Sequence, residues 1–247
     1  MSAGMDVSPA AWIEDCLMRE YDLLELLSQK ETGEVSLWQH RTLGRRIILR
    51  RCQGEGEVYR RMLGVRQKNL PQVYEAAEGD GALLVLEEYI EGPLLSDRLE
   101  TVKGDAAKVR QLGAALCDAM GCLHSRGIIH RDIKPENVIL QAGTGTLKLI
   151  DLTAARVRHP APPGSADTVC LGTAPYAAPE QFGVAQTDER TDIYAAGVLL
   201  NILMTGQHPS QALCRGKLGR IVRRCIRVNA AERFESAEKL KRALERF

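Results

Sequence analysis

The hydrophobic rhythm of this chain changes once, near Glu88–Gly92, and that change limits what it can fold into. Between Tyr21 and Tyr89 apolar residues come in short runs separated by turn formers. Tyr21–Leu27, Val35–His40, Arg46–Arg51, Leu70–Ala76 and Ala82–Tyr89 read as strands, because short apolar runs bounded by turns suit a pleated surface. Thr42-Leu43-Gly44 and Glu78-Gly79-Asp80-Gly81 read as tight turns, and Gly54–Gly64 as a helix. Beyond Gly92 the period moves toward that of a helix. Val109, Leu112, Leu116, Met120 and Leu123 fall on one face of a helix over Asp105–Ser125. A strand-like Leu147–Ile150 follows, and helices are expected near Asp192–Met204, Gly216–Val228 and Ser236–Phe247. Strands first and helices after predict an α+β chain. Residues 1–20 stand apart: Ser8-Pro9 can open a helix with Trp12, Ile13, Cys16 and Leu17 at helical spacing, packed as an appendage on the outside.

A length of 247 residues with 45% apolar and 26% charged side chains can bury a core, which argues against disorder. The net charge of +1 nominates neither nucleic acid nor a membrane as partner. Seven cysteines, an odd number without a CxxC pair, read as reduced thiols packed as small apolar side chains, the pattern of a cytoplasmic protein. Met1–Ala11 lacks the basic start and apolar run of a signal peptide, so none is expected. The longest apolar stretch, Ala195–Met204, is too short to span a bilayer and is interrupted by Asn201, so no direct membrane insertion is expected.

His130-Arg131-Asp132-Ile133-Lys134-Pro135-Glu136-Asn137 is the most informative segment. It resembles the catalytic loop of eukaryotic-type (Hanks-type) Ser/Thr protein kinases of the bacterial kind, in which H-R-D is followed by four residues and Asn. The resemblance covers roughly Tyr21–Phe247. It implies a protein-kinase-like two-lobe fold: a small five-stranded β lobe with one helix over 21–90, and a larger, mainly helical lobe over 91–247. It also implies ATP and Mg²⁺ as cofactors and a protein substrate. Asp132 would be the catalytic base, Lys134 would stand near the transferred phosphate, and Asn137 would ligate Mg²⁺ through its amide oxygen. Arg131 would dock an activation-loop phosphate, and His130 would pack beneath the metal-binding segment. Asp151-Leu152-Thr153 stands where the family has Asp-Phe-Gly, and Asp151 would be the carboxylate ligand of Mg²⁺. Thr173 would lie beside Asp132. Glu180, in the A-P-E segment, would pair with Arg233, and Asp192 would hold the catalytic loop's backbone N–H groups. Ser165 or Thr168 would be an autophosphorylation site facing Arg131, with an ordinary loop hydroxyl as the other reading.

The first lobe departs from the family pattern. Ser28-Gln29-Lys30-Glu31-Thr32-Gly33-Glu34-Val35 stands for the glycine-rich hairpin over ATP, and only Gly33 and Val35 match. Arg50 replaces the lysine that meets the α- and β-phosphates, an exchange that changes shape as well as size. Either Arg50 or Lys30 would supply the missing charge, or Arg50 would point to solvent beside Arg51. Glu57, with Glu55 as runner-up, would orient this cation. Backbone groups of Glu88 and Ile90 would pair with the adenine edge. Glu87 puts a carboxylate where the family has an apolar residue, so it must be solvated or paired, with Arg50 or Lys30 as candidates. Two functions follow: an active Ser/Thr kinase, or a pseudokinase acting as a nucleotide-binding or scaffold module. A small-molecule kinase on the same fold is a third.

Overall fold

A computed structural model describes residues 8–30, 33–53, 56–79, 81–158, 173–183 and 186–247. They form two compact units: the described residues up to Arg66 together with Pro71–Tyr89, and Gln67–Leu70 together with Ile90–Phe247.

The smaller unit opens with α1 (Pro9–Glu20), then β1 (Tyr21–Lys30), β2 (Gly33–His40), β3 (Arg46–Cys52), α2 (Gly56–Met62), β4 (Val73–Gly79) and β5 (Ala82–Glu88). The five strands form one antiparallel sheet in the order β1-β2-β3-β5-β4. Ser8 caps α1 by accepting from Ala11 N at 3.2 Å, and Pro9 suits the first turn because its missing N–H had no helical partner. Ala10, Ile13 and Leu17 then form the stripe that packs on Ile47 and Leu49 of β3, Ala77 of β4 and Leu84 of β5. Burying a side chain such as Ile13 or Leu17 contributes about 1.5–3 kcal/mol. Trp12, at neighbouring helical positions in the sequence reading, stays 59% exposed instead. Ile47 and Leu49 of β3 share the face beneath α1, and Ile48 is half-buried on the other face, so the run shows no polar alternation.

Several element boundaries differ from expectation by two or three residues, and two of them have a visible cause. β1 continues to Lys30, because Ser28, Gln29 and Lys30 pair with Val35, Glu34 and Gly33. β4 begins at Val73 rather than Leu70. Leu70 is apolar for a different reason: Asn69 and Leu70 belong to the larger unit, where Leu149 N donates to Asn69 O at 2.8 Å and Lys148 Nζ to Leu70 O at 3.1 Å.

The larger unit contains α3 (Leu99–Val102), α4 (Ala106–His124), α5 (Glu189–Thr205), α6 (Gly216–Cys225) and α7 (Ala237–Glu245). Its strands are short: β6 (Ile128–Ile129) pairs with β9 (Arg156–Val157), and β7 (Val138–Leu140) with β8 (Leu147–Leu149). Side chains of Asp105, Asp188 and Ser236 cap α4, α5 and α7, satisfying N–H groups that have no helical acceptor. The predicted stripe Val109, Leu112, Leu116, Met120 and Leu123 is buried. A Cβ on Gly113 would stand 2.8 Å from Leu200 and 2.9 Å from Leu244, so α4 approaches α5 and α7 through a position where only glycine fits. Among the described residues no helix is long and apolar enough to cross a membrane. Cys117, Cys214 and Cys225 are buried free thiols, and burial pushes Cys225 up to about 12, so it packs as a small apolar group.

Candidate active site

The segment between β6 and β7 carries Asp132, and one buried carboxylate fixes its backbone. Asp192, in the first turn of α5, accepts from His130 N at 2.9 Å and from Arg131 N at 2.8 Å, as expected of it. His124 Nε2 lies 2.8 Å from the same carboxylate. Burial works to raise the Asp192 carboxyl, but hydrogen bonds and charge from His124 and His130 outweigh it and hold the group below its usual range. Arg131 adopts φ +64°, a left-handed conformation that costs an L-residue about 1–2 kcal/mol. The Asp192 bond to its amide, together with Gln181 Nε2 donating to its carbonyl at 2.8 Å, offsets that cost. His130 is fully buried, and its Nε2 lies 3.1 Å from Ile150 O.

Four groups converge on Asp132. Asn137 Nδ2 donates to Oδ2 at 2.9 Å and to the Asp132 carbonyl at 2.8 Å. Lys134 Nζ lies 2.7 Å from Oδ2. Thr173 donates to Oδ1 through its N–H at 3.1 Å and its hydroxyl at 2.8 Å, and Lys134 Nζ also donates to Thr173 Oγ1 at 2.6 Å. The carboxylate is therefore held by donors and set next to an aliphatic hydroxyl, the arrangement a general base for a hydroxyl needs.

Asp151 and Asn137 lie at the same end of one ribbon. Val138 pairs with Leu149, and Ile150 N donates to Asn137 O at 2.9 Å, so Asn137 and Asp151 both lie just past the end of the β7–β8 ladder. Asn137 spends its NH₂ group on Asp132, which leaves its amide oxygen for a cation. Asp151 has φ +68°. Thr153 N donates to Asp151 Oδ1 at 3.1 Å, and the Thr153 hydroxyl donates to the same oxygen at 2.5 Å. The glycine of the family pattern could supply the first bond and not the second. Positive φ falls on Asp151 and not on Thr153, so threonine is tolerated here.

Glu180 and Arg233 form the expected pair, with Nη1–Oε1 at 2.6 Å and Nη2–Oε2 at 2.8 Å. Thr191 Oγ1 adds a bond to Oε1 at 2.9 Å, and Arg233 also donates to the carbonyls of Arg190, Arg227 and Val228. Burial works to raise the Glu180 carboxyl, yet the Arg233 hydrogen bonds and charge hold it low. Leaving either charge alone would cost about 3–5 kcal/mol.

In the smaller unit the register brings Ser28, Val35, Arg50 and Val85 into one row across four strands, so their side chains share a face of the sheet. Lys30, Gly33 and Cys52 form the next row of the same face. Arg50 is 8% exposed and pairs with Glu87 at 3.5 Å, so it does not point to solvent and Glu87 is paired. Glu57 bonds Arg61 one turn on in α2, with Nη2–Oε1 at 2.5 Å. Lys30 is exposed at the end of β1. Gly33 has φ +154°, and a Cβ there would stand 2.4 Å from Arg51 O, so glycine is required by the neighbouring strand. Glu88 N donates to Gln72 O at 2.8 Å, and its side chain accepts from Gln72 N at 3.0 Å. Ile90, in the larger unit, is buried. Glu31, Thr32, Glu55, Ser165, Thr168 and Cys170 lie outside the described residues.

His124, Gln181, Thr191 and the hydroxyl of Thr153 were not singled out in the sequence. The first three act on partners distant in the chain and carry no local signal.

The family model described as "Protein kinase domain" matches residues 46–247. Among curated proteins, the serine/threonine-protein kinase pkn2 of Myxococcus xanthus is 31% identical over 205 residues, covering 76% of this chain and 25% of the relative. Pkn1 of the same organism is 27% identical over 203 residues, covering 76% and 29%. Serine/threonine-protein kinase 36 of Pongo abelii is 31% identical over 212 residues, covering 79% and 15%. The match thus spans less than a third of the length of each of these relatives.

Proposed function

The chain belongs to the protein kinase domain family, and from that premise we propose that it is an ATP-dependent protein serine/threonine kinase. The observation that supports this most is the convergence of Lys134, Asn137 and Thr173 on the Asp132 carboxylate. In this reading a substrate Ser or Thr oxygen bonds to the γ-phosphorus of ATP as the β–γ bridging bond breaks. ADP leaves, and the hydroxyl proton passes to Asp132. Lys134 stabilises charge on the transferred group, so catalysis rests on positioning and electrostatics.

The carboxylate of Asp151 and the amide oxygen of Asn137 are hard donors that suit Mg²⁺, with phosphate and water oxygens completing its shell. Mg²⁺ bound there neutralises phosphate charge. Ser28, Lys30, Gly33, Val35, Arg50, Glu57, Glu88 and Ile90 are assigned to the nucleotide side, with Arg50 or Lys30 supplying the cation. The protein is assigned to the cytoplasm, with a protein substrate and no nucleic-acid partner.

The Arg50–Glu87 pair favours a second reading, a pseudokinase, because a guanidinium already engaged by a carboxylate has less charge to offer phosphate. Incorporation of label from γ-³²P-ATP separates the two. The kinase reading expects autophosphorylation by the wild type and none by Asp132→Asn. No incorporation by either protein, with no Mg-ATP shift in melting of the intact fold, would establish the pseudokinase.

A further inference from the structure

The +1 net charge hides a local concentration of cations. From Cys214 to Ala231 the chain carries Arg215, Lys217, Arg220, Arg223, Arg224 and Arg227 with no Asp or Glu. Lys217, Arg220 and Arg224 follow helical spacing and therefore share one face of α6 with Ile221. That face borders an open groove of about 330 Å³, closed on the other side by Ala243, Arg246 and Phe247 and floored by Ile221 and Phe234. Among the described residues no carboxylate lies within ion-pair distance of Lys217, Arg220, Arg224 or Arg246. Glu235 is the neighbouring acid, and it is bonded to Lys239, which with the charges of Arg224 and Arg190 holds its carboxyl low. Arg224 lies over the Phe234 ring at 4.4 Å, which holds its guanidinium at the groove.

We propose that this groove between α6 and α7 docks an acidic peptide segment of a partner protein, an Asp/Glu-rich stretch carrying one apolar side chain. The cations would meet the carboxylates, with guanidinium forks suited to bidentate contact. Ile221 and Phe234 would take the apolar residue. A nucleic acid fits less well: the cations are confined to one short groove and form no stripe that could track a phosphate backbone. Four cations gathered on one groove, none of them ion-paired among the described residues, favour a polyanionic segment by charge complementarity. The proposal stands on this groove alone and is independent of phosphoryl transfer.

Fluorescence anisotropy of the full chain with a labelled peptide of sequence Glu-Asp-Glu-Leu-Asp-Glu tests it. The wild type should bind the peptide, weakening as salt is raised. R220E/R224E should weaken binding at least about tenfold, and R110E, an exposed reversal on α4, should not. A peptide with Ser in place of Leu should bind less tightly. Melting curves check the fold, and K217E/R220E, which spares the Arg224–Phe234 contact, replaces the first variant if that one unfolds. Absence of binding by the wild type, or binding indifferent to both reversals, would overturn the proposal. So would tighter binding of a short oligodeoxynucleotide or of anionic vesicles, which would assign the groove to another polyanion.

Discussion

The edge hairpin of the smaller unit and the Asp132 segment of the larger unit meet their sequence constraints in opposite ways. Around Asp132 several elements hold one segment: Asp192 and Gln181, buried and distant in the chain, grip the backbone of Arg131, while half-buried Thr173 and Lys134 close on the carboxylate. Exchanging one member leaves several buried polar groups without bonds. In β1 the two described positions where the kinase pattern has glycine, Ser28 and Lys30, are half-buried and exposed. The family match likewise takes in β3 onward, from Arg46. The difference teaches that a residue resists exchange in proportion to the number of separate elements that depend on it. Gly33 fits this rule, since its survival answers to Arg51 on the next strand.

The largest expected effect comes from the segment held by many partners. Asp132→Asn should lower phosphoryl transfer about 10²–10⁴-fold with little change in melting. Comparable losses from substitutions at Ser28 and Lys30 would break the comparison. Next, Glu180→Ala should destabilise the fold by roughly 3–5 kcal/mol in denaturant titrations, because Arg233 is left buried without its partner. The pH sign is fixed by the depressed carboxyl. The Glu180 contribution is complete above the ordinary carboxylate pKa of about 4.3 and is lost as pH falls through its lower folded value. Glu180→Gln should therefore flatten the acid limb of the stability profile, and an unchanged limb would count against the pair.

A smaller effect is expected at Arg50–Glu87, where a double-mutant cycle with Met at each position should return a coupling of about 0.5–3 kcal/mol. In the same cycle, Arg50→Lys should keep or raise activity if the cation serves phosphate, while an unaffected Arg50→Ala would point to Lys30. The smallest effect belongs to Thr153→Gly. Removing a hydroxyl from Asp151 Oδ1 should change Mn²⁺ affinity, read by electron paramagnetic resonance, by about two- to tenfold toward tighter binding. Weaker binding would mean that the threonine positions the carboxylate for metal.

Much of the site was legible in the sequence because the Asp132 segment matches a constrained family pattern, and the resemblance carried Glu180–Arg233 and Asp192 with it. The five strand segments and the long helices were legible from turn signals and period, whereas the sheet order β1-β2-β3-β5-β4 was not. Leu70 was misread as strand because an apolar residue has the same signature whether it pairs in a sheet or fills a gap beside Lys148. The two-residue strands β6 and β9 are too short to show a period. Trp12 and Ile13 are adjacent, and which of them faces the sheet depends on where α1 lands. Arg50 could not be placed from its own neighbourhood, since its partner Glu87 lies on another strand. The basic groove was masked by averaging charge over the whole chain.

The helix before Tyr21 gives the smaller unit a practical edge. Ala10, Ile13 and Leu17 seal the face made by Ile47, Leu49, Ala77 and Leu84, and Arg51 of β3 pairs with Glu14 on the outer side of that helix. Trimming the chain to its recognisable kinase motifs would strip this cover and turn a closed surface into an adhesive one. A shortened protein would then fail first by clumping, with its chemistry still intact in whatever stayed dissolved.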